Sequence, residues 1–440
     1  MSRTIQLIEQ ATCPHCWHRF APHEALFVAR HSDLLGDAVA GDAAFLRFLP
    51  SRFTREGNAI DPAGAECREL ACPTCHLEVT RAILEMPAMF ASIIGAPASG
   101  KSYYLAAMTW QLRSVLPKFG WNFVDADSLV NERLHQNEQR LFLNDRPERP
   151  IALDKTPTEG GDLYRTVRVQ GRMISYPRPF QFVLVPRSER DRGIRRVMVL
   201  YDNAGEHFLP GQESGAAPMT EHLGRSKVLM FLLDPTQDPR MRAICRSDDP
   251  QLRAGPRGTG FAVETARQET VLAEVGQRIR RSLGLAHDAK HKAPLIVILA
   301  KADLWEHHVG SPLAKEPMGK SSSGRLKLDV TKIREVSDQC RRLLLRVCPE
   351  FVSAAEWLSR SVLFIPVSAL GRSPELVQTS AGSEMIAIRP ADVKPRWVTV
   401  PLLCALQSME PGRFTLNAVP AEDPAEAGAE PQQTSLREMT

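Results

Sequence analysis

The sequence predicts an α/β protein in which helices cover a mostly parallel sheet in a three-layer sandwich, with a small separate module at its amino-terminal end. Short apolar runs recur along most of the chain with helical segments between them, which is the pattern of buried parallel strands alternating with helices. Five of the nine cysteines fall within the first 75 residues, where no such periodicity is sustained. The apolar runs occupy residues 89–94, 180–185, 196–201, 227–234, 294–300 and 362–367.

Two segments between these runs have the spacing of amphipathic helices. Apolar residues recur at intervals of three and four in residues 102–116 and in residues 330–347. Residues 238–261 and 308–325 are rich in Arg, Gly and Pro or in Lys and Ser, and we predict that they are surface insertions. The predicted domains are a cysteine module with an insertion at 1–85, an α/β domain with insertions at 86–416 and a disordered tail at 417–440.

The composition excludes several classes of protein. Hydrophobic residues make up 43% and charged residues 24% of the chain, values that exclude a fibrous or wholly disordered protein. Lys and Arg number 55 against 51 for Asp and Glu, a balance that does not indicate nucleic-acid binding. The first residues lack the apolar run of a secretion signal, and no stretch reaches the roughly 18 apolar residues needed to cross a bilayer. We therefore expect a cytoplasmic protein without a membrane partner.

A glycine-rich sequence, GAPASGKS, follows the first apolar run directly and precedes a predicted helix. It fits the phosphate-loop pattern GxxxxGK[S/T] from Gly95 through Ser99 and Gly100 to Lys101 and Ser102. The glycines let backbone N–H groups surround phosphates, and the start of the helix adds its positive end. Lys101 would reach the β and γ oxygens, and the Ser102 hydroxyl would bind Mg²⁺. A glycine-rich turn without function is the alternative.

A second motif follows the apolar run at 196–201, which leads into the sequence DNAGE. An apolar strand that ends in DxxG resembles the third motif of P-loop GTPases. The resemblance implies that Asp202 holds Mg²⁺, usually through water, and that the backbone N–H of Gly205 contacts the γ-phosphate and senses its loss. An Asp–Gly turn that merely closes a strand is the alternative.

A third motif follows the run at 294–300, where Ala300-Lys301-Ala302-Asp303 resembles the NKxD motif by which the same class recognises guanine. The Asp303 carboxylate is able to accept hydrogen bonds from the N1 and N2 groups of guanine, and the stem of Lys301 to cover the face of the base. Adenine offers no such pair of donors. Ala300 stands where the family usually has Asn or Thr, so one supporting hydrogen bond is missing.

The last apolar run ends in Ser368-Ala369-Leu370, which is similar to the SAK or SAL element whose backbone contacts O6 of guanine. All four motifs follow predicted strands, at the edge where open α/β sheets bind ligands. The resemblance to P-loop GTPases covers roughly residues 88–410 and implies GTP or GDP as ligand and Mg²⁺ as cofactor. The DNAGE sequence, the long segment before it and the preceding cysteine pairs resemble the double-GTPase families of bacterial defence or conflict systems. That resemblance implies a protein partner from the same system.

The sequence offers several candidate residues for hydrolysis. Small GTPases commonly place Gln after DxxG to orient the attacking water, whereas this chain has Glu206 followed by His207. Either side chain could position water. Glu206 could also accept a proton from it, but its charge near the γ-phosphate predicts slow turnover, and a solvated surface carboxylate is the alternative. Lys101 is the second catalytic candidate. Among the threonines of residues 153–166 we favour Thr156 as the Mg²⁺ ligand of the first switch, and an arginine finger would come from residues 187–192 or from a partner.

The amino-terminal cysteines form two pairs with the spacing of zinc knuckles. Cys13-Pro-His-Cys16 and Cys72-Pro-Thr-Cys75 each place two thiolates on a tight turn, so together they predict one tetrahedral Zn²⁺ site in a zinc-ribbon-like module. A redox-active CxxC pair is the alternative. Exchange of a ligand stays open for the other cysteine and the histidines of this module, which are Cys67, His15, His18 and His76.

Four functions are therefore compared. The leading one is a GTP-binding switch that hydrolyses GTP slowly and controls a protein partner. The second is a zinc-ribbon adaptor whose nucleotide site does not turn over, and the third is an ATPase of another P-loop class in which the AKAD sequence is coincidental. Nucleic-acid binding through the arginine-rich segment 190–196 is the weakest, because such runs are usually solvated faces.

Overall fold

The computed structural model describes most of the chain, and elements are numbered here in chain order. The described residues are 6–154, 164–188, 194–202, 205–209, 221–245, 248–252, 267–320, 325–378 and 384–409, without the side chains of Glu206 and His207. The predicted disordered tail, the switch threonine Thr156 and much of the predicted insertion at 238–261 lie outside these residues.

Residues 6–86 form a module of short strands with little regular structure of its own. One antiparallel sheet has the strand order β10-β9-β3-β6, and the other strands pair as the two-stranded ribbons β1-β2, β4-β5 and β7-β8. The elements are Ala11–Thr12 (β1), Arg19–Phe20 (β2), Leu26–Val28 (β3), Leu35–Asp37 (β4), Gly41–Phe45 (β5), Arg47–Phe48 (β6), Ala59–Ile60 (β7), Glu66–Cys67 (β8), Leu70–Ala71 (β9), Glu78–Val79 (β10) and the helix Ala82–Glu85 (α1).

A seven-stranded sheet with the order β12-β15-β16-β11-β17-β18-β21 forms the centre of the larger part. The five strands from β16 to β21 pair in parallel, whereas β15 runs antiparallel to both of its neighbours. The predicted mostly parallel sheet is therefore confirmed. Its strands are Ala88–Gly95 (β11), Trp121–Asp125 (β12), Phe180–Pro186 (β15), Arg196–Asp202 (β16), Val228–Leu233 (β17), Leu295–Leu299 (β18) and Val362–Pro366 (β21).

Helices and three hairpins connect and cover these strands. The hairpins pair Tyr164–Val169 (β13) with Arg172–Pro177 (β14), Met318–Lys320 (β19) with Leu326–Leu328 (β20), and Glu375–Gln378 (β22) with Glu384–Ala387 (β23). The helices are Lys101–Val115 (α2), Glu132–Phe142 (α3), Glu221–Arg225 (α4), Pro239–Ile244 (α5), Gln268–Leu283 (α6), Val330–Val347 (α7), Pro349–Leu358 (α8) and Val400–Met409 (α9).

All six apolar runs of the sequence are strands of this sheet, and the two predicted helices correspond to α2 and α7. The strand β12 was not predicted. It is short, lies at the edge of the sheet and carries exposed Asn122 between buried Trp121 and Phe123. The run is therefore less apolar than the strands that are buried on both faces, and it lacks the signal that identified them.

The cysteine module packs directly against one face of β16. Side chains alternate along a strand, so Val197 and Tyr201 point to one face and Met198 and Leu200 to the other. The first pair lies in the hydrophobic cluster of the cysteine module, and the second pair lies in the large helix-covered core. The two parts of the chain are thus joined through a continuous packed layer at this strand. Among the described residues no helix combines the length and the apolar character needed to span a bilayer.

The turn after β21 depends on a glycine. Gly371 has φ +82°, and a Cβ atom there would lie 1.9 Å from the carbonyl oxygen of Lys394. We expect Gly371→Ala to lower the free energy of unfolding by more than the about 1–2 kcal/mol that a left-handed alanine costs by itself. Gly284→Ala is the control, because Gly284 has φ +61° with no atom near its Cβ position. Urea unfolding measures both losses, and equal losses would contradict the close approach.

Candidate functional site

The phosphate-loop sequence has the geometry that its motif predicts. It leaves the buried end of β11 and leads into α2, which begins at Lys101. Gly100 adopts φ +90° and ψ +19° immediately before the helix, a conformation that glycine takes without strain. Ala98 also has a positive φ of +58°. The first backbone N–H groups of α2 are therefore presented at the edge of the sheet, where a helix N-terminus attracts anions.

Two glycines of the predicted motifs lie in close contact with backbone. A Cβ atom on Gly205 would lie 2.5 Å from the backbone nitrogen of Pro97, and one on Gly95 would lie 2.9 Å from the carbonyl oxygen of Leu232. Both distances are shorter than real Cβ contacts. Only glycine therefore allows the DxxG turn to pack against the phosphate loop.

Asp202 ends β16 beside the phosphate loop, and its side chain is buried. Its Oδ1 atom lies 3.7 Å from Nζ of Lys101 and has no hydrogen-bond partner among the described residues. Burial raises the pKa of Asp202, and the positive charges of Lys101 and Arg133 oppose this shift. A buried carboxylate oxygen without a hydrogen bond is a suitable ligand for a hard cation such as Mg²⁺. Ser102, the other predicted ligand, is the second residue of α2.

Asp303 lies in the turn after β18 and is held by the predicted Ser368. The Ser368 hydroxyl donates to Oδ1 of Asp303 at 2.5 Å and accepts from the backbone N–H of Gly371 at 2.8 Å. The other carboxylate oxygen, Oδ2, is buried without a hydrogen-bond partner among the described residues. Burial raises the pKa of Asp303, and the hydrogen bond from Ser368 opposes this shift. The side chain of Ser368 thus orients Asp303, a role that the sequence motif did not indicate.

Lys301 is positioned by an acidic residue that the sequence analysis missed. Asp234 follows β17 and is completely buried, and its Oδ2 lies 2.6 Å from Nζ of Lys301. Its Oδ1 accepts hydrogen bonds from the backbone N–H and the hydroxyl of Thr236. The signal was present in the sequence, because Asp234 ends the run at 227–234 after six apolar residues, much as Asp202 follows the run at 196–201.

A contact between the turn after β17 and the phosphate loop was also missed. The side-chain amide of Gln237 donates to the carbonyl oxygen of Pro97 at 3.3 Å. Ala300 has no side-chain group for such a bond, and its carbonyl oxygen accepts from the indole of Trp305. The side chain of Gln237 therefore makes a hydrogen bond to the phosphate loop, which the side chain of Ala300 is unable to make.

A pocket of about 240 Å³ joins the phosphate loop to the Asp303 region. We call it the central pocket. The hydroxyl of Ser99, which is buried without a hydrogen-bond partner, lines it. The hairpin β22–β23 closes one side, and this wall was not predicted. The lining residues are Ala98, Ser99, Gly100, Tyr103, Tyr104, Gln251, Ala300, Lys301, Asp303, Val367, Ala369, Leu370, Arg372, Pro374, Ile386, Ala387 and Ile388.

The structure thus brings most of the predicted nucleotide-site residues to one edge of the sheet. Lys101 and Asp202 face each other, Gly205 contacts the loop after Gly95, and the central pocket reaches Asp303. Of the three catalytic candidates, Lys101 lies within the described residues. Thr156 and the side chain of Glu206 lie outside the described residues, so their roles stay predictions.

The four paired cysteines converge as the sequence predicts. Their sulfur atoms all lie within 4.8 Å of one another, with Cys13 and Cys75 3.8 Å apart and Cys16 and Cys72 3.7 Å apart. Sulfur atoms around one tetrahedral Zn²⁺, each bonded at about 2.3 Å, lie about 3.8 Å apart. Burial raises the pKa of the Cys13 thiol, so a group of thiolates in this place needs a cation. The residues fit a Cys₄ zinc site.

The two cysteine pairs have the same local geometry. In each pair the backbone N–H two residues after the first cysteine points to its sulfur, at 3.3 Å for Cys13 and 3.4 Å for Cys72. The residue after the second cysteine then adopts a positive φ, +56° at Trp17 and +57° at His76. These N–H groups stabilise thiolate charge, as expected for metal-binding knuckles.

The other candidate ligands are occupied elsewhere. The ring nitrogens of His15 lie 2.9 Å and 3.0 Å from the carbonyl oxygens of Pro177 and Glu78. Nδ1 of His76 lies 2.8 Å from Asp37, and Cys67 points to Asp61 and Ala65. His18 is exposed. Ligand exchange, which the sequence left open, is therefore not needed to complete the site.

No protein-family model matches the chain. A Mycolicibacterium smegmatis protein, described as a candidate ESX-1 scaffolding and assembly protein, SaeC, is 24% identical over 245 residues. This match covers 52% of the present chain and 58% of that relative. A GDP complex of a GTP-binding protein from Sulfolobus solfataricus and a GDP complex of sup35 are each 13% identical, with a TM-score of 0.21. They cover 65% and 67% of this chain but 48% and 40% of their own, and a TM-score this low supports no inference about the site.

Zinc content tests the cysteine cluster. We expect the purified protein to contain one zinc ion per chain, and Cys13→Ser or Cys72→Ser to lose it, because each removes one of four soft ligands that close the site. Cys67→Ser is the matched control, since Cys67 is equally buried in the same module but lies outside the cluster. Atomic absorption measures the metal. Loss of zinc in Cys67→Ser alone would show that the ligand set is wrong.

Proposed function

We propose that the chain is a guanine-nucleotide-binding switch that binds GTP with Mg²⁺ and hydrolyses it slowly to GDP and phosphate. The observation that carries the proposal is the buried oxygen Oδ2 of Asp303. It lacks a hydrogen-bond partner among the described residues, and Asp303 lines a pocket continuous with the phosphate loop. A buried charged acceptor left without a partner is costly, so such a group supports a ligand that donates hydrogen bonds to it.

Guanine is the base that matches this acceptor. Its N1 and N2 groups present two adjacent N–H donors, and a carboxylate has lone pairs on both oxygens to receive them. Ser368 occupies one lone pair of Oδ1 and fixes the plane of the carboxylate. Asp234 holds Lys301 at the same end of the pocket, where its stem would lie along the base. Adenine would leave Asp303 without donors, which disfavours the ATPase alternative.

The phosphate end of the site has a matching charge arrangement. Lys101 Nζ and Asp202 Oδ1 are 3.7 Å apart, and both side chains are buried. In the nucleotide complex the ammonium group of Lys101 would bind phosphate oxygens, and Asp202 and Ser102 would hold Mg²⁺. Bound Mg²⁺ would neutralise charge on the phosphates. Gly205, packed against the phosphate loop, would sense the γ-phosphate through its backbone N–H.

Hydrolysis would use the residue that directly follows the DxxG motif. Glu206 follows Gly205 in a short 3₁₀ turn, so the acidic residue that the sequence offers for positioning water is next to the phosphate-sensing glycine. We propose that Glu206 and Thr156 act in hydrolysis and that the charge of Glu206 keeps turnover slow. The alternative is a zinc-ribbon adaptor with a nucleotide site that does not turn over.

We also propose that a protein partner responds to the nucleotide state. The resemblance of DNAGE and the cysteine pairs to double-GTPase families supports a partner from a bacterial defence or conflict system. The Mycolicibacterium smegmatis relative is described as a scaffolding and assembly protein, which also favours a role in controlling a protein assembly. Because this relative is matched over only part of its length, we propose only the class of partner from it.

Exchange of the base tests guanine recognition. We expect Asp303→Asn to weaken GDP binding about 100-fold and to improve binding of XDP, because Asn offers one acceptor and one donor to the N1–H and C2 carbonyl of xanthine. Asp238→Asn is the control, since Asp238 caps α5 and does not line the central pocket. Isothermal titration measures both nucleotides. Equal affinity of the wild type for ATP and GTP analogues would contradict the guanine assignment.

Phosphate release tests turnover. With excess GTP and Mg²⁺ we expect the wild type to release phosphate slowly over many turnovers, and Lys101→Ala to release none, because it loses the buried ammonium that binds the β and γ oxygens. The exposed Lys118, just beyond α2, supplies the control variant Lys118→Ala. A wild type that binds GTP tightly but releases no phosphate would favour the adaptor.

A further inference from the structure

The first cysteine knuckle is hydrogen-bonded to the strand that carries the predicted Mg²⁺ ligand. The hydroxyl of Tyr201 donates to the carbonyl oxygen of Pro14 at 2.7 Å and accepts from the indole N–H of Trp17 at 2.8 Å. Pro14 and Trp17 flank His15 and Cys16 within the knuckle. The side chains of Trp17 and Tyr201 are both almost completely buried. One hydroxyl therefore joins two parts of the knuckle to the central sheet.

Tyr201 immediately precedes Asp202 in β16. Neighbouring side chains of a strand point to opposite faces. The backbone between Tyr201 and Asp202 is therefore held by the cysteine module on one side and by the phosphate loop on the other. A rotation or shift of Tyr201 would move the Asp202 carboxylate directly. No flexible linker separates the two residues.

The same tyrosine also contacts the strand that leads into the phosphate loop. Tyr201 lies opposite Ser92 of β11 in the parallel register. Its ring stacks on that of His222 with centroids 4.4 Å apart and an angle of 9° between the rings. Nδ1 of His222 lies 2.6 Å from the Ser92 hydroxyl, which also bonds the hydroxyl of Ser226 at 2.7 Å. The knuckle is thus connected to both strands that end at the phosphate site.

The other side of the knuckle is held as well. His15 lies between the carbonyl oxygens of Pro177, at the end of β14, and Glu78, in β10. These contacts hold the knuckle to β14 and β10 in addition to its hydrogen bonds to β16. Its shape in turn depends on the metal, because four thiolates are brought together only when they share a cation.

We propose that the zinc-bound knuckle at residues 13–17 is a positioning element for the Mg²⁺ site, acting on Asp202 through Tyr201. The inference rests on the proposed nucleotide function. Zinc binding holds Trp17 and Pro14 in place, and these two residues hold the Tyr201 hydroxyl by hydrogen bonds. Because Tyr201 is fixed, the adjacent Asp202 keeps the orientation that suits Mg²⁺. Because coupling between two binding sites is reciprocal, Mg²⁺ and nucleotide also stabilise the zinc site.

Removal of one oxygen atom tests this connection. Tyr201→Phe keeps the ring that stacks on His222 but leaves Pro14 and Trp17 without their hydrogen-bond partner. We expect the increase in GTP-analogue affinity that Mg²⁺ produces to fall about three- to tenfold in this variant. GDP affinity measured in EDTA should stay unchanged, because the phosphate loop and Asp303 are intact. The zinc content should remain one per chain.

Tyr176→Phe is the matched control. Tyr176 is buried in the same hydrophobic cluster beside the cysteines, and its hydroxyl makes no hydrogen bond to a described residue. This variant should keep the full effect of Mg²⁺. Equal losses in both variants would indicate a general weakening of the module and would overturn the proposal, as would an unchanged Mg²⁺ effect in Tyr201→Phe.

A second measurement separates this inference from the proposed function. Exchange of the backbone amide hydrogens of residues 196–202 should become faster in Tyr201→Phe, and also in the wild type after zinc is chelated. This measurement requires no nucleotide. If exchange becomes faster but the wild type binds no nucleotide, the proposed function is refuted. The structural connection between the knuckle and β16 through Tyr201 is then still supported. Unchanged exchange in both cases would refute the connection itself. In a wild type that binds nucleotide, Mg²⁺ and a GTP analogue should also slow zinc loss to a chelator.

Discussion

Parallel pairing of β11 with β16 and β17 is the constraint on which the rest of the site depends. The register places Ile93 opposite Asp202 and Gly95 opposite Leu232. The phosphate loop therefore leaves the sheet between β16, which ends at Asp202, and β17, which Asp234 directly follows. These three strand ends can meet only because Gly95 and Gly205 carry no Cβ atom. Charge, backbone donors and close packing are thus combined at one edge of the sheet.

The cysteine module has too little regular structure to be stabilised by its strands alone. Most of its strands are only two or three residues long, and ladders this short contribute few hydrogen bonds. Cys16 and Cys72 are 56 positions apart, so a shared metal ion would close a long loop that the strands alone hold weakly. The resulting knuckle also fills one face of β16, which in a three-layer sandwich a helix would cover. The candidate metal site and the proposed nucleotide site therefore share one packed strand.

Much of the fold could be predicted because its strands are buried on both faces. The strands β17 and β18 consist wholly of apolar residues, and such runs have few other structural interpretations. The helix α7 was also predictable from its periodic apolar face. The edge strand β12 was not, because one of its faces is exposed, and the hairpin β22–β23 has largely exposed or half-buried side chains. Both lack the continuous apolar run by which the fully buried strands were identified in the sequence.

The sequence by itself determined which residues are candidates for chemistry: a phosphate-loop motif, acidic residues after apolar strands and four thiols in two CxxC pairs. Short motifs carry this information because neighbouring residues share one turn. Only the tertiary structure decided how these groups act on one another. It assigned Ser368 to Asp303 and Asp234 to Lys301, and it placed the Tyr201 hydroxyl against Pro14, 187 positions away. Such contacts depend on how strands and layers pack, and no local pattern records which distant residues that packing brings together.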